Sequence, residues 1–348
     1  MTAVEPQVRA RAVGGVGHLT LDRPRAINAL SHGMVRLLAA ALDRWEHDDA
    51  VRVVLLDGAG ERGLCAGGDI RAIADGLRSD PRSGAAAAVG YWTDEYRLNA
   101  RIARYPKPVV ALMEGIVLGG GVGLSGHASH RVVTEDSAVG MPEVAIGFVP
   151  DVGGTWLLSR APGELGTHLA LTTDRMAAAD ALHCGFADVF VPRARRAELL
   201  AALAAAPVDE ALAAVAEPAG ESGLAAESGW IDRCYAAGSV AEVLDRLDAE
   251  PAEGAAAAAA AIRAMSPTAL AVTLRSLRLA RTDESLEQSL ARELRVSAVA
   301  VGHPDFAEGV RAAVVDRDRT PSWQPVSPDL DAFFAPLGAR ELTFPAAG

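Results

Sequence analysis

Short apolar runs and amphipathic segments alternate along the first 200 residues of the chain. The runs at 16–21 and 51–57 are rich in valine, leucine and isoleucine, as buried strands are. Between them, Ser31 is placed to cap a helix that carries apolar residues at helical spacing. Two more apolar runs, at 108–113 and 131–134, predict further strands. This alternation of strands and helices predicts an α/β fold.

The pattern changes after about residue 205. Alanine, glutamate, arginine and leucine dominate there, and strand patterns vanish. The segments 284–301 and 306–315 predict amphipathic helices. We therefore expect two regions, an α/β core over 1–205 and a helical region over 206–348.

Charge and composition exclude several classes of protein. The chain has 348 residues, of which 45 are acidic and 33 basic, so its formal net charge is −12. Such an acidic balance argues against a general nucleic-acid binder, and no nucleic-acid partner is expected. Three distant cysteines, Cys65, Cys184 and Cys234, have neither metal-binding nor disulfide spacing, so no metal is predicted.

The sequence also predicts a cytoplasmic protein without a membrane partner. Its first residues contain no apolar segment of signal-peptide length. An uncharged stretch at 115–130 has 16 residues and six glycines, which is short and glycine-rich for a membrane span.

Two glycine-rich loops are candidate binding sites for an anionic oxygen. In GLCAGGDI (63–70), two glycines precede Asp69 at a predicted helix start. EGIVLGGGVGLSG (114–126) follows a predicted strand and opens a buried helix. Glycine permits close approach of the backbone, and the first N–H groups of a helix have no intrahelical acceptor. Ordinary tight loops and close helix packing are the alternative explanations.

Two acidic residues, Glu143 and Asp151, are candidates for proton transfer, and a third, Glu95, lies on a predicted helix face. Glu143 and Asp151 flank an apolar stretch, and Glu95 shares its helix face with Tyr91 and Asn99 at i±4. Surface acids of a loop and a solvated acid on a helix are the alternative explanations. Apolar surroundings raise the pKa of a carboxyl group and suit it to acid–base work near neutrality. Two donor loops beside an acid pair, without an activated Ser/His or Cys/His motif, suit chemistry on a carbonyl whose oxygen becomes negative.

Four segments together resemble the crotonase, or enoyl-CoA hydratase/isomerase, superfamily. They are LDRPRAINAL (21–30), CAGGDI (65–70), GIVLGGGVGLS (115–125) and PEVAIGFVPDVGGT (142–155). Within it the chain resembles the 3-hydroxyisobutyryl-CoA hydrolases. The features shared with these hydrolases are Asp151 in PDVGG, Glu95 in DEYRLN, MSPTAL (265–270) and the segment 303–325. The resemblance implies a spiral of ββα turns, a helical C-terminal region that covers the site, and a homo-oligomer such as a trimer or hexamer.

The resemblance also implies roles for the candidate residues. Gly68 and Gly120 match the positions whose backbone N–H groups form an oxyanion hole for the thioester carbonyl of an acyl-CoA. Glu143 matches the catalytic glutamate, which acts as a general base or as a nucleophile. Asp151 and Glu95 match acidic positions of the hydrolases' substrate site.

Four further residues match contacts to coenzyme A. Ala66, Asp69 and Ile70 fall in the loop that holds coenzyme A by its backbone and adenine. Arg25 falls where crotonases often place a basic contact to the nucleotide. Coenzyme A is part of the substrate, so no cofactor is implied, and no metal.

One departure from the superfamily distinguishes between reactions. Hydratases carry a second glutamate at the position of Gly123, and they usually carry glycine at the position of Asp151. The pattern therefore favours hydrolysis of 3-hydroxyisobutyryl-CoA, a step of valine catabolism, over hydration or isomerisation of an enoyl-CoA. A non-enzymatic acyl-CoA-binding protein is a further alternative. So is a nicotinamide-dependent oxidoreductase, because Gly121, Gly123 and Gly126 formally satisfy GxGxxG.

Overall fold

The structure, a computed structural model, describes residues 7–344 and consists of two compact units. The first unit comprises residues 7–68, 97–139 and 176–222, and the second comprises residues 69–96, 140–175 and 223–344. The predicted division of the chain near residue 205 is based on composition and stays a prediction.

All strands of the described chain lie before residue 191. They are β1 (Val8–Val13), β2 (Val16–Leu21), β3 (Val53–Gly58), β4 (Val109–Met113), β5 (Ile116–Leu118), β6 (His130–Val133), β7 (Ala138–Gly140) and β8 (Val189–Phe190). Six of them form one sheet in the order β1-β2-β3-β4-β6-β8. Only the β1–β2 pair is antiparallel in this sheet. Strands β5 and β7 form a separate pair. The four strands predicted from apolar runs are β2, β3, β4 and β6.

Fifteen α-helices occur within residues 7–344. They are α1 (His32–Glu46), α2 (Ile70–Ser79), α3 (Pro81–Ala103), α4 (Gly120–Ser125), α5 (Gly154–Leu158), α6 (Leu165–Thr172), α7 (Ala178–His183), α8 (Arg196–Ala205), α9 (Val208–Ala213), α10 (Gly223–Tyr235), α11 (Val240–Ala249), α12 (Glu253–Arg263), α13 (Pro267–Ala280), α14 (Leu286–Ala300) and α15 (Pro304–Val310). A π-helical turn follows at Arg311–Val315. Ser31 caps α1 as predicted, since its hydroxyl oxygen accepts the Met34 N–H at 3.3 Å.

The core of the first unit lies on the two faces of the six-stranded sheet. Side chains alternate between faces along a strand. One face, with Val53 and Leu55 of β3, packs against α8 and α9 in a single apolar cluster. From the other face Val54 and Leu56 meet Leu42 of α1 in a second apolar layer. Burial on both faces explains why the parallel strands appear in the sequence as continuous apolar runs.

The second unit is built mainly of helices, in agreement with the helical pattern of the C-terminal half. Helix α13 packs on α5, α6 and α14, and α15 packs on α2. No single helix within residues 7–344 is long and apolar enough to cross a membrane. Helices α12 and α13 reach that length and composition only as a pair bent by 116°.

Candidate active site

In the first unit, the loop 63–68 lies against β5 and the start of α4. Leu118 donates its backbone N–H to the Cys65 carbonyl at 2.9 Å, and the Cys65 N–H donates to Ile116 at 3.1 Å. A Cβ atom on Gly121 would lie only 2.6 Å from the Cys65 oxygen. Only glycine permits this approach, so one residue of the glycine run serves close packing.

Both predicted oxyanion donors belong to these two segments. Gly120 is the first residue of α4, and Gly119 before it has φ +49° and ψ −117°, a conformation that favours glycine. A Cβ atom on Gly67 would lie 3.8 Å from the Gly120 nitrogen, so the residue before Gly68 lies beside the start of α4. The donor positions are therefore neighbours in the first unit, and their binding of an oxyanion stays a prediction.

In the second unit, Glu143 opens a 3₁₀ turn, Glu143–Ile146, that contacts α15 closely. A Cβ atom on Gly147 would lie 2.3 Å from the Asp305 oxygen, and one on Gly309 would lie 2.3 Å from the backbone of the turn. The Glu143 side chain is 7% exposed. Its Oε2 atom is buried and has no hydrogen-bond partner within residues 7–344. That oxygen can accept a proton or a hydrogen bond from a substrate or a water molecule.

Two segments, MSPTAL (265–270) and HPDFAEG (303–309), hold the Glu143 turn in place. Ser266 donates its hydroxyl to Asp305 Oδ2 at 2.5 Å and accepts the Ala269 N–H as the cap of α13. The Ser266 N–H donates to the carbonyl of Val144 in the turn at 3.4 Å. Asp305 Oδ1 accepts the Gln324 N–H at 2.8 Å. Segments far apart in the sequence thus support one catalytic candidate.

Asp151 lies in a strained turn that leads into α5. Val152 has φ +53°, which is rare for a β-branched residue, and Gly153 has φ +78°. Such a non-glycine residue costs about 1–3 kcal/mol, so surrounding contacts must maintain it. Glu293 of α14 supplies them, since its carboxylate accepts the N–H groups of Gly153 at 2.7 Å and Thr155 at 3.0 Å. It also accepts the Thr155 hydroxyl at 2.5 Å.

Tyr96 of α3 contacts Asp151 directly. Its hydroxyl donates to Asp151 Oδ2 at 2.7 Å and lies 2.9 Å from the Ser297 hydroxyl. Ser297 follows Glu293 by one turn of α14, so both residues lie on one face of that helix. Helix α14 therefore supports the Asp151 turn and Tyr96 together.

Glu95 lies beside Tyr96 on α3, as the helical pattern predicted. Helix α3 begins at Pro81 because the Asp80 carboxylate accepts the Arg82 N–H at 3.0 Å and the Ser83 hydroxyl at 2.6 Å. The Glu95 side chain is 2% exposed. Its Oε1 atom is buried without a hydrogen-bond partner within residues 7–344. Glu95 therefore has a free acceptor, as Glu143 has.

The carboxyl groups of this cluster have raised pKa values, as the apolar stretch between Glu143 and Asp151 predicts for those two residues. Burial raises the pKa of Glu95, Glu143 and Glu293 above the usual range, and raises that of Asp151 to about 7. The charge of Asp151 raises the pKa of Glu95 and Glu143 further. Hydrogen bonds act in the opposite direction, and the bond from Tyr96 lowers the pKa of Asp151. The cluster can therefore exchange protons near neutral pH.

Aromatic rings supply apolar surroundings in the same unit. The ring centroids of Trp92 and Phe148 lie 5.0 Å apart in a stacked arrangement. Phe148 and Phe306 have centroids 5.4 Å apart. All three side chains are buried, and Phe148 falls between Glu143 and Asp151 in the sequence. These buried rings add to the apolar interior of the second unit.

Asp69 and Ile70, predicted to contact coenzyme A, lie at the start of α2. Asp69 is the N-cap of this helix, and its carboxylate accepts the Ala72 N–H at 3.3 Å. Ile70 is the first helical residue. The predicted helix start is therefore confirmed, and the contact with coenzyme A stays a prediction.

Ala66 and Arg25, the other two predicted contacts, lie in the first unit. The Ala66 N–H donates to the Ile27 carbonyl at 2.9 Å, so this donor is already engaged. Arg25 is exposed, and its carbonyl accepts from Arg62 at 2.7 Å. Their roles toward coenzyme A stay predictions. Across residues 7–344, no group of three or more His, Cys, Asp or Glu side chains is arranged to hold a metal ion.

Sequence reasoning missed Tyr96, Glu293 and Ser297. Tyr96 directly follows Glu95, but the i±4 rule examines only residues on one helix face. Glu293 and Ser297 have that spacing on α14, although nothing in the local sequence connects them to Asp151, some 140 residues earlier. The local signal for Glu293 was its spacing on the predicted helix, since it lies three residues after Leu290 and seven after Leu286, in line with the apolar side chains.

Comparisons with known proteins identify the family. The family model described as enoyl-CoA hydratase/isomerase matches residues 16–330. The mitochondrial 3-hydroxyisobutyryl-CoA hydrolase of Rattus norvegicus is 37% identical over 95% of this chain and 89% of that protein. The enzyme of the same name from Homo sapiens is 36% identical over 99% of this chain and 92% of its own length.

Solved structures agree on the fold. A crystal structure described as a carnitinyl-CoA dehydratase from Mycobacterium thermoresistibile has a TM-score of 0.93 and 50% identity, over 98% of this chain and 99% of that one. A second crystal structure, described as an enoyl-CoA hydratase from Rhodobacter sphaeroides 2.4.1, has a TM-score of 0.90 and 45% identity, over 97% of this chain and 100% of that one. The crotonase-like fold inferred from the sequence is confirmed. This chain belongs to the enoyl-CoA hydratase/isomerase family, the crotonase superfamily.

Proposed function

We propose that this protein hydrolyses the thioester bond of an acyl-CoA. The observation that carries the proposal is the buried, unpartnered oxygen of Glu143 in a cluster with Asp151 and Glu95. The buried helix α4 carries Gly123 where hydratases have a second glutamate, so that position has no carboxyl group for adding water to a double bond. The curated hydrolases to which the chain is similar over nearly its whole length support the same reaction.

The proposal gives the candidate residues distinct roles. The N–H groups of Gly68 and Gly120 stabilise the carbonyl oxygen as it becomes negative, and each such donor contributes about 3–4 kcal/mol in known cases. As a general base, Glu143 removes a proton from water while the water oxygen bonds to the carbonyl carbon. The carbon–sulfur bond then breaks, and the thiolate of coenzyme A takes the proton from Glu143. Since the pKa of Glu143 is raised, the rate of this route increases with pH.

A covalent route uses the same residue as a nucleophile. The Glu143 carboxylate bonds to the carbonyl carbon, the carbon–sulfur bond breaks, and a mixed anhydride forms with release of the thiolate of coenzyme A, which takes a proton from solvent. Water then hydrolyses the anhydride. A turnover in ¹⁸O-labelled water separates the routes, because label found in the peptide that contains Glu143 requires the anhydride.

We propose 3-hydroxyisobutyryl-CoA as the substrate, in a step of valine catabolism. The names of the curated relatives support this choice. Asp151 and Glu95 supply acidic groups that can accept a hydrogen bond from the 3-hydroxyl group. A cytoplasmic location stays a prediction, since those names place the relatives in mitochondria.

Addition of water to an enoyl-CoA, or its reverse, is a second candidate. The descriptions of the two solved structures with 45–50% identity favour it. Its chemistry needs two acid–base groups on the double bond. Glu143 and Glu95, each with an unpartnered oxygen, are the residues that would have to supply them.

The deciding experiment follows thiol release from (S)-3-hydroxyisobutyryl-CoA and, in parallel, loss of enoyl absorbance from crotonyl-CoA. We expect thiol release without enoyl loss. Glu143→Gln should lower kcat about 10²–10⁴-fold with KM little changed, because the proton acceptor is gone. Exposed Glu61→Gln is the matched control and should behave as wild type. Loss of enoyl absorbance without thiol release would show that the protein is a hydratase and not a hydrolase.

A further inference from the structure

The Asp151 carboxylate has a dedicated hydrogen-bond donor. The Tyr96 hydroxyl lies 2.7 Å from Asp151 Oδ2 and 2.9 Å from the Ser297 hydroxyl. Tyr96 and Ser297 are 0% exposed and Asp151 is 5% exposed. A phenol has one proton, and here it points to Asp151, so Ser297 must donate to the Tyr96 oxygen. A directed chain of hydrogen bonds thus runs from Ser297 through Tyr96 to Asp151.

This direction decides what Asp151 can offer to a ligand. An ionised carboxylate only accepts hydrogen bonds, whereas a protonated one also donates. Burial raises the pKa of Tyr96 well above its usual range, so the phenol keeps its proton and remains a donor. A hydrogen bond donated to Asp151 stabilises the ionised form of its carboxyl group. Tyr96 therefore keeps Asp151 available as an acceptor.

The other groups that face Asp151 act in the opposite direction. Glu95 lies next to Tyr96 on α3, Glu143 lies on the 3₁₀ turn, and Glu293 lies on α14. All three are carboxyl groups, and negative charge on any of them favours a protonated Asp151. Tyr96 is a neutral donor in this acidic environment. Without it, Asp151 would hold its proton to a higher pH.

We propose that Tyr96 is a positioning residue that sets the preference for 3-hydroxyacyl thioesters, by holding Asp151 ready to accept the 3-hydroxyl proton in a hydrogen bond. The inference rests on the proposed function, in which Asp151 faces that hydroxyl. An acyl-CoA without the hydroxyl makes no such bond and gains nothing from Tyr96. The residue therefore acts on discrimination between substrates rather than on cleavage of the thioester.

The test compares kcat/KM of wild type and Tyr96→Phe on 3-hydroxyisobutyryl-CoA and on isobutyryl-CoA. We expect the variant to lose about tenfold or more on the hydroxylated substrate, mainly through KM, and less than about twofold on the other. Removal of the donor also raises the pKa of Asp151. The acid limb of the pH profile should therefore move to higher pH. Ser297→Ala, which removes the donor to Tyr96, should give a smaller change in the same direction.

Tyr235→Phe is the matched control. Tyr235 is a buried tyrosine of the same unit, and its hydroxyl forms a hydrogen bond with the His168 ring at 2.9 Å. Removal of this hydroxyl should leave the ratio of kcat/KM on the two substrates and the pH profile unchanged. An equal loss of kcat/KM on both substrates, or an unmoved acid limb in folded Tyr96→Phe, would overturn this inference but not the proposed function. If Tyr96→Phe does not fold, Ser297→Ala decides by the same two readouts. A wild type that releases no thiol from 3-hydroxyisobutyryl-CoA overturns the proposed function, and the inference with it.

Discussion

At the scale of single residues, Gly119 controls the direction of a backbone donor. Its φ of +49° and ψ of −117° place it where residues with a side chain are strained, and Gly120 follows it directly. In Gly119→Ala the backbone should relax toward negative φ and turn the Gly120 N–H away. We expect kcat to fall about 10²–10³-fold with KM little changed, as for the loss of one oxyanion donor. Thiol-release kinetics would measure both constants.

Gly90→Ala is the matched control for this substitution. Gly90 lies within α3, and a Cβ atom there would meet nothing within 4 Å. The alanine should keep wild-type kinetics and stabilise the protein by about 0.5–1 kcal/mol, because it restricts the unfolded chain and favours the helix. A folded Gly119→Ala enzyme with wild-type kcat would exclude Gly120 as an oxyanion donor.

At the scale of elements, α14 holds the turn that carries Asp151. Glu293 accepts two N–H groups and a hydroxyl from residues 153–155, next to the strained Val152. Glu293→Gln should destabilise the protein by about 1–3 kcal/mol, because an amide donor would replace one carboxylate acceptor. It also removes a charge that raises the pKa of Asp151 and Glu143. We therefore expect the acid limb of the pH–rate profile to move to lower pH.

The acid limb is expected to move to lower pH in Glu293→Gln and to higher pH in Tyr96→Phe, so the two variants test opposite effects on the pKa of Asp151. Urea unfolding and the pH dependence of kcat/KM are the measurements. Glu61→Gln, an exposed acid of the other unit, should change neither. A shift to higher pH in Glu293→Gln would show that Glu293 acts on Asp151 through geometry and not through its charge.

The same element shows how far sequence reasoning reaches. Apolar runs and a cap predicted β2, β3, β4, β6 and α1, because these signals lie within one segment. Glu95, Glu143 and Asp151 were identified within short motifs, and the structure groups their carboxyl groups. Glu293 could not be identified, since its hydrogen bonds join positions about 140 residues apart. Strands β4 and β6 are neighbours in the sheet although β5 lies between them in the sequence, and this pairing is likewise a tertiary property.

At the scale of the whole molecule, the acid cluster makes stability depend on pH. Burial raises the pKa of Glu95 above its value in the unfolded chain. The folded state therefore binds this proton more tightly, and the stability it contributes is lost as pH rises through the folded pKa. Each unit of raised pKa corresponds to about 1.4 kcal/mol. Glu95→Gln is neutral at every pH and avoids this loss, so its Tm relative to wild type should increase between pH 4.5 and pH 8.

The change of this difference with pH is the informative quantity. Any packing defect of the glutamine lowers Tm equally at all pH values, whereas the effect of ionisation appears only as pH rises. We expect a relative gain on the order of 2–4 °C, together with loss of activity on a 3-hydroxyacyl thioester. Exposed Glu61→Gln should show a constant difference. A constant difference in Glu95→Gln would mean that the folded protein accommodates the Glu95 charge without cost. In that case a neutral Glu95 could not be part of the proton exchange at the site.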